Sequence, residues 1–200
     1  MDKKYELLLE EKIEYKGKTL YRIKALRNFG NVKKGDLGGY IESEKNLSHE
    51  GTCWVYDDAK VYGNAEVFGY SKVYGNAQVY GFAEVYEDAE VYGNARICGY
   101  AQIYGGAEVC GNAKIYGFAQ VYRFAQVYEN AKVYGDVKAS GHSEIYGNAR
   151  VYHSVIVFGN AQVYEDAKVY GNAEVYDSAR ISGNAVINKG TIIGNVSMPY

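Results

Sequence analysis

The pattern of hydrophobic and polar positions along this chain repeats every six residues from Val55 to Ile193. Each hexad starts with an aliphatic residue, Val or Ile except at Ala139, and has a small or short side chain four residues later, most often Ala. In a helix, side chains six residues apart would point in all directions around the axis, so the pattern is not helical. Because strand side chains alternate, the pattern predicts one short strand and one corner in every hexad.

A second period of eighteen residues lies on top of the first. When every third hexad is grouped, one group has Asn or Asp at its fourth position in every copy. These are Asp58, Asn76, Asn94, Asn112, Asn130, Asn148, Asp166 and Asn184. Three hexads therefore form one coil, and such coils must stack to share a core. The twenty-four hexads predict an all-β, three-sided parallel β-helix of about eight to nine coils.

The hexads resemble the [LIV]-[GAED]-x-x-[STAV]-x repeat of the hexapeptide-repeat, left-handed β-helix family. The segment Ile193 to Met198 fits this pattern at every position, and the likeness covers about residues 41 to 198, where Ile41 and Leu47 are two further hexad starts. The chain departs from the family at the second position, which is usually small but is Tyr or Phe in eighteen hexads here. The left hand of the helix is implied by the resemblance. The opening also resembles uncharacterised bacterial and prophage members of this group.

The N-terminal segment, residues 1 to 46, does not repeat, whereas residues 47 to 200 hold the β-helix. Two apolar runs, Ile13 to Tyr15 and Leu20 to Ile23, flank Lys16-Gly17-Lys18-Thr19 and predict a β-hairpin. The first coil of a solenoid would otherwise expose a sheet edge and an open core. We therefore expect this segment to cap the first coil, and an independent binding module is the alternative.

Composition narrows the class of protein. The chain has 23 Tyr, 24 Gly and one Pro in 200 residues, with a net charge of −2. No apolar run approaches the length of a membrane span, and the N-terminus has no small-residue cleavage site. Three Cys without paired spacing argue against a disulfide framework and a zinc site. We expect a cytoplasmic protein with no membrane contact, no metal and no cofactor.

Positive charge collects in a single column of the predicted coils. At the sixth position of the Asn/Asp group stand the cations that we call the basic column: Lys60, Arg96, Lys114, Lys132, Arg150 and Lys168. The equivalent columns hold Glu66 and Glu84, or Glu90, Glu108 and Glu144. Adjacent like charges are unfavourable in a sheet. Hydration and nearby acids are one explanation, simple copying of an ancestral repeat is another, and an anionic partner on this face is the third.

Aromatic side chains form further columns. The column beside the cations, which we call the tyrosine column, contains Tyr62, Tyr80, Tyr116, Tyr134, Tyr152 and Tyr170, with Cys98 in the gap. Stacked rings brace neighbouring strands, and Tyr surfaces also make good protein contacts. Basic residues beside aromatics suit nucleic acid as well, but the overall acidity argues against strong non-specific binding.

The last predicted coil loses the Tyr pattern and gains apolar residues at outward positions. Val186, Ile192 and Met198 are therefore candidates for self-association, and a homo-oligomer is expected. A fold-back of the Pro199-Tyr200 tail is the alternative explanation.

Catalysis has weak support in the sequence. The resemblance implies an acyltransferase alternative, because some hexapeptide β-helices are acyltransferases that use a His near a projecting loop. Here no hexad after Val55 carries an insertion, and His49, His142 and His153 fall in different parts of the repeat. No catalytic residue is predicted. We expect a non-catalytic solenoid that binds a macromolecule, most readily a protein, as in a prophage-encoded inhibitor of a host factor, with a self-assembling structural element as the other alternative.

Overall fold

The computed structural model describes residues 3–198 and begins with a β-hairpin. Strand β1 (Tyr5–Tyr15) pairs antiparallel with β2 (Lys18–Ala25), which pairs antiparallel with β3 (Leu37–Ile41). The hairpin turns at Lys16 and Gly17, whose φ angles of 49° and 74° are those of a primed two-residue turn. The predicted hairpin is confirmed, and its strands extend well beyond the sequence motif.

The rest of the chain consists of short strands, most of them two residues long, after one 3-10 turn at Glu44–Asn46. In chain order they are β4 (Trp54–Val55), β5 (Lys60–Val61), β6 (Glu66–Val67), β7 (Lys72–Val73), β8 (Gln78–Val79), β9 (Glu84–Val85), β10 (Glu90–Val91), β11 (Arg96–Ile97), β12 (Gln102–Ile103), β13 (Glu108–Val109), β14 (Lys114–Gly117), β15 (Gln120–Val121), β16 (Gln126–Val127), β17 (Lys132–Gly135), β18 (Lys138–Ala139), β19 (Glu144–Ile145), β20 (Arg150–His153), β21 (Ile156–Val157), β22 (Gln162–Val163), β23 (Lys168–Val175), β24 (Arg180–Gly183), β25 (Val186–Ile192) and β26 (Val196–Met198).

These strands form three faces, each of which is a parallel sheet, because each strand pairs with the strand one coil further along. Strand β11 pairs with β14 on the first face, β12 with β15 on the second and β10 with β13 on the third. The third face contains nine strands, from β4 to β26. The all-β class, the parallel solenoid and the number of coils are therefore confirmed. The insertion before Val55 is also visible, since Leu47 bridges to Val67, twenty residues on, whereas Val55 pairs with Val73, eighteen residues on.

From Val55 through Ala185, the interior is filled by the first and fifth residues of each hexad. Ala113, Ile115 and Val133 are typical and have no exposed surface. Backbone hydrogen bonds join the coils, as when the Lys114 N–H donates to the Ala131 carbonyl at 2.9 Å. No coil could bury its apolar side chains alone, so stability comes from stacking.

The corners need backbone with positive φ. Gly117 has a φ of 79°, and a Cβ atom there would lie 2.8 Å from the backbone nitrogen of Gly135 in the next coil. Glu129 takes the same corner conformation with a φ of 57°, and its carboxylate accepts a hydrogen bond from the Gly147 N–H at 2.9 Å. A corner residue other than Gly can thus offset its backbone strain by binding the next coil.

The N-terminal strands close the first coil. Tyr5, Ile23 and Trp54 are buried in one cluster with the solenoid core. Lys4 is fully buried beneath them, and its ammonium donates to the Cys53 carbonyl at 2.9 Å. Burial lowers the pKa of Lys4 and raises the pKa of the Cys53 thiol. Strand β3 also pairs in parallel with β5, so the cap joins the solenoid through continuous hydrogen bonding.

The last coil departs from the eighteen-residue period. Val169 pairs with Ile187 as expected, but Val175 pairs with Ile192 and Ile181 with Val196, so two corners are shortened by one and two residues. A slip of one residue exchanges the inner and outer faces of a strand. The prediction that Ile192 faces outward is therefore wrong, since it packs against the core, and Ile193, expected inside as a hexad start, is 67% exposed. Val186 and Met198 are exposed, while the Pro199-Tyr200 tail lies outside the described residues.

Among residues 3–198, no helix is long and apolar enough to cross a bilayer.

Candidate basic interface

The basic column is a true column in the structure. Arg96 lies beside Lys114, Lys114 beside Lys132, and Lys132 beside Arg150 in the parallel register of the first face. Arg150 in turn lies beside Lys168, and Val186 ends the row. Neighbouring strands are about 4.8 Å apart, so five cations from Arg96 to Lys168 stand within about 19 Å.

The N-terminal hairpin occupies the start of this face. Lys60 donates to the Asp58 carbonyl at 2.7 Å and lies over the rings of Tyr15 and Tyr40. Gln78, which separates Lys60 from Arg96, is nearly buried. The structure therefore does not join Lys60 to the accessible cations. We call Arg96, Lys114, Lys132, Arg150 and Lys168 the exposed basic row.

The cations of the exposed basic row are not paired within residues 3–198. Within the part of the chain that the structure describes, none of its five side chains forms an ion pair or a hydrogen bond. Arg96, Arg150 and Lys168 are exposed, while Lys114 and Lys132 are partly exposed. Like charges at neighbouring positions repel one another, so an anion bound on this face would reduce that repulsion.

An open groove of about 380 Å³ runs along one side of the row, and Lys132, Arg150 and Lys168 form one wall of it. The other wall is an asparagine ladder. Asn94 donates to Asn112 at 3.2 Å, and the ladder continues through further side-chain amides to the Asp166 carboxylate. Asn112, Asn130 and Asn148 each use the side-chain oxygen and one N–H in the ladder, which leaves the second N–H of each amide available to a ligand. The groove thus combines ammonium, guanidinium and amide donors with one carboxylate.

The tyrosine column forms the other border of the row. Tyr116 and Tyr134 stack with ring centroids 4.7 Å apart and planes within 3°, and the stack continues through Tyr152 to Tyr170. Tyr62 lies under the hairpin and is only 5% exposed. Tyr80 stacks on Tyr62, while Lys16 lies over its ring. These two tyrosines are therefore not grouped with the four accessible ones.

On the third face, one cation of the corresponding column is neutralised by the chain itself. The Lys72 ammonium lies 2.7 Å from one carboxylate oxygen of Glu90, and the Tyr74 hydroxyl donates to the other at 2.9 Å. Partial burial raises the pKa of the Glu90 carboxyl, but Lys72 and Tyr74 outweigh it and hold that pKa below its ordinary value. Tyr128 donates to Glu144 in the same manner at 2.9 Å.

The sequence analysis missed one exposed aromatic feature at the corner after the first face. Phe82, Tyr100 and Phe118 form a stacked ladder with centroid spacings of 4.8 and 5.1 Å, and each ring is about half exposed. All three occupy the fourth position of hexads eighteen residues apart. That spacing was a usable signal, because fourth-position side chains point away from the core.

The three histidines lie in three different settings. His49 stacks on Tyr5 at 4.3 Å, and its Nδ1 accepts from the Lys4 N–H at 3.1 Å within the cap. His142 stacks on Phe124, whereas His153 packs edge-on against Tyr152. In residues 3–198, no three His, Cys, Asp or Glu side chains are arranged to hold a metal ion. Cys53, Cys98 and Cys110 are free thiols.

Comparison with known proteins supports the repeat. Residues 145–159 and 179–195 match the family described as YdcK Beta solenoid repeat. A 53-residue segment is 40% identical to a protein of Escherichia coli named "Uncharacterized acetyltransferase YdcK". That segment is 26% of this chain and spans only 16% of the relative's length. Together, the six-residue repeat, the parallel solenoid and these two matches fit the hexapeptide-repeat β-helix family.

Proposed function

We propose that this chain is a non-catalytic solenoid that binds a protein partner through its first face. The observation that carries the proposal is the exposed basic row, whose five adjacent cations form no ion pair or hydrogen bond among the described residues. On the third face, by contrast, one cation of the corresponding column is paired, Lys72 with Glu90. The tyrosine column then supplies aromatic contact area beside the charges.

A protein is favoured over a nucleic acid because the flanking rings already stack on one another. Tyr116, Tyr134 and Tyr152 cover each other's faces along the column, at centroid distances of 4.7 and 4.9 Å. Single-stranded nucleic acid is held by stacking bases on free aromatic faces. Here the ring edges and hydroxyl groups remain, and these suit polar groups of a polypeptide.

The test is an affinity capture from the native host with charge-reversed protein. Lys114→Glu combined with Lys132→Glu should abolish capture of a partner that the wild-type chain retains, and capture should weaken as salt is raised. The matched control is Lys138→Glu, an exposed lysine on the second face that forms no ion pair in residues 3–198. Thermal unfolding of all three proteins checks the fold. Equal capture by the double variant and the wild type would overturn the proposal.

An acyltransferase is the second candidate, and the printed name of the Escherichia coli relative is the observation that favours it. The family resemblance implies a His for such chemistry, and His142 and His153 are exposed. This activity predicts saturable heat on titration with acetyl-CoA, and loss of acetyl transfer in His142→Ala or His153→Ala. Titration without heat would count against it.

We also propose a cytoplasmic location and a phage-associated role. Three free thiols suit a reducing compartment. The phage association rests on the resemblance of the opening segment. Cell fractionation with an antibody to the chain tests the location, and recovery outside the cytoplasmic fraction would contradict it.

A further inference from the structure

On the third face, a carboxylate of the chain itself contacts a cation and a phenol. This contact indicates which chemical group of a partner could bind the same pair of side chains on the first face. Glu90 is held by a cation and a phenol that lie two residues apart, Lys72 and Tyr74, at 2.7 and 2.9 Å. Lys72 lies beside Glu90 in the parallel register, so the carboxylate belongs to the next coil. Glu90 comes sixteen residues after Tyr74, because one coil contains eighteen residues and Tyr74 comes two residues after Lys72.

The first face repeats the cation and the phenol but not the carboxylate. Lys114 and Tyr116 stand as Lys72 and Tyr74 do, but the position sixteen residues after Tyr116 is Lys132. The same arrangement recurs in the three coils that follow. These cation–phenol pairs are Lys114 with Tyr116, Lys132 with Tyr134, Arg150 with Tyr152, and Lys168 with Tyr170.

The four phenols have no acceptor of their own. Within residues 3–198, the hydroxyls of Tyr116, Tyr134, Tyr152 and Tyr170 donate no hydrogen bond, whereas those of Tyr74, Tyr92 and Tyr128 each reach a Glu. Burial raises the pKa of Tyr116 and of Tyr152. Both hydroxyls therefore remain donors at neutral pH.

We propose that the partner bound by this face is an acidic polypeptide segment whose carboxylates occupy the four cation–phenol pairs. This inference rests on the proposed function and names its partner chemistry. A carboxylate over each pair would accept a charge-assisted hydrogen bond from the cation and a second from the phenol, as Glu90 does within the chain. The pairs recur about every 4.8 Å, a distance that flexible Glu and Asp side chains of one segment can span.

The experiment measures binding of a fluorescent peptide of ten consecutive glutamates by anisotropy at low salt. Wild-type protein should bind it, and Lys114→Glu with Lys132→Glu should not. Tyr134→Phe with Tyr152→Phe removes two hydroxyls and keeps both rings, and should weaken binding about three- to tenfold. The matched control is Tyr86→Phe with Tyr104→Phe in the stacked column of the second face, which should bind as the wild type does.

A ten-residue oligothymidylate and inorganic tripolyphosphate serve as competing probes. The inference predicts that both bind more weakly than the glutamate peptide, and tighter binding of either would overturn it in favour of a phosphate ligand. Unchanged binding by the Tyr134→Phe/Tyr152→Phe protein would also overturn it. The two failures are separable: if charge reversal abolishes partner capture while the glutamate peptide does not bind, the proposed function stands and this inference falls.

Discussion

The side-chain nitrogen of Lys16 lies 3.1 Å from the side-chain oxygen of Gln78, which joins the tip of the hairpin to the coil that precedes Arg96. The same ammonium lies over the Tyr80 ring. The Lys16 side chain thus attaches the tip of the hairpin to the first face, in addition to the pairing of β3 with β5, and ends the accessible part of the basic column.

Replacing Gln78 with Lys should destabilise the cap. The substitution continues the basic column, but it places a second ammonium against Lys16 at a nearly buried position. We expect a loss of about 1–3 kcal/mol in the free energy of unfolding, measured by chemical denaturation. Gln126→Lys is the matched control, since Gln126 lies between Glu108 and Glu144 and should tolerate a cation. Equal stability of the two variants would contradict this role of Lys16.

Truncation of one core side chain should weaken the whole solenoid. Ile115 has no exposed surface, so Ile115→Ala leaves a cavity that a stacked coil cannot close, and should cost about 2–5 kcal/mol. Ile156 points outward on the second face, and Ile156→Ala should cost less than about 1 kcal/mol. Urea denaturation followed by circular dichroism measures both losses. A similar loss for the two variants would mean that the inward and outward positions are misassigned.

The Lys72–Glu90–Tyr74 cluster should contribute stability that depends on pH. The pKa of Glu90 lies below its ordinary value in the folded chain, so its contribution is present above the unfolded pKa of about 4.3 and is lost as pH falls through the folded pKa. Glu90→Gln should lower stability by about 0.5–1 kcal/mol at pH 7, a modest figure because the pair is partly exposed. The difference from wild type should disappear at acid pH.

Melting temperatures between pH 3 and pH 7 measure that convergence. Glu66→Gln is the control, because the Glu66 carboxylate is exposed and forms no hydrogen bond or ion pair within residues 3–198. A constant difference between the Glu90→Gln protein and the wild type at all pH values would rule out the ion pair as its cause.

Alkaline pH should unfold this protein through its tyrosines. Burial raises the pKa of Tyr80 and of Tyr86 to about 12. The folded chain therefore keeps protons that the unfolded chain releases near pH 10. Their stabilising contribution is complete below pH 10 and is lost as pH rises towards 12. Melting temperatures and tyrosinate absorbance, measured together, should change in the same pH range, and a melting temperature that is flat from pH 9 to pH 12 would contradict the linkage.

The exposed apolar groups of the last coil should support self-association. Val186→Asp with Ile193→Asp should shift the protein towards monomer in sedimentation velocity at high concentration, since both side chains are exposed. Leu9→Asp changes an equally exposed apolar residue in the hairpin and is the control. Sedimentation of the wild-type protein as a monomer at every concentration would contradict the predicted homo-oligomer.

Much of the candidate site follows from the period alone. A coil of eighteen residues places Lys114 beside Lys132 and Tyr116 beside Tyr134, and the structure has that register. The cation–phenol pairs could also have been found in the sequence, because Lys72, Tyr74 and Glu90 follow the same spacing rule. A single column does not show this pattern, because it runs diagonally from the phenol of one coil to the carboxylate of the next.

Contacts between the repeat and the segments outside it could not be predicted. Nothing in the hexads indicates that Lys16 reaches Gln78, since the two residues are brought together only by the length and direction of the hairpin. The slip from Ile193 to Ile192 has a similar origin. Strands β23 and β25 both run through this corner, and their pairing shifts by one residue between Val169 and Asn172, which the hexads do not indicate.

Because a cation–phenol pair recurs every eighteen residues, the number of pairs increases with the number of coils that the gene encodes. Duplication of one coil between Lys114 and Lys168 would add one cation–phenol pair without moving the pairs on either side, since each coil touches only its neighbours. Avidity for a repetitive acidic ligand could therefore evolve stepwise by duplication or deletion of whole coils. In such a protein, the number of repeats would set the valency.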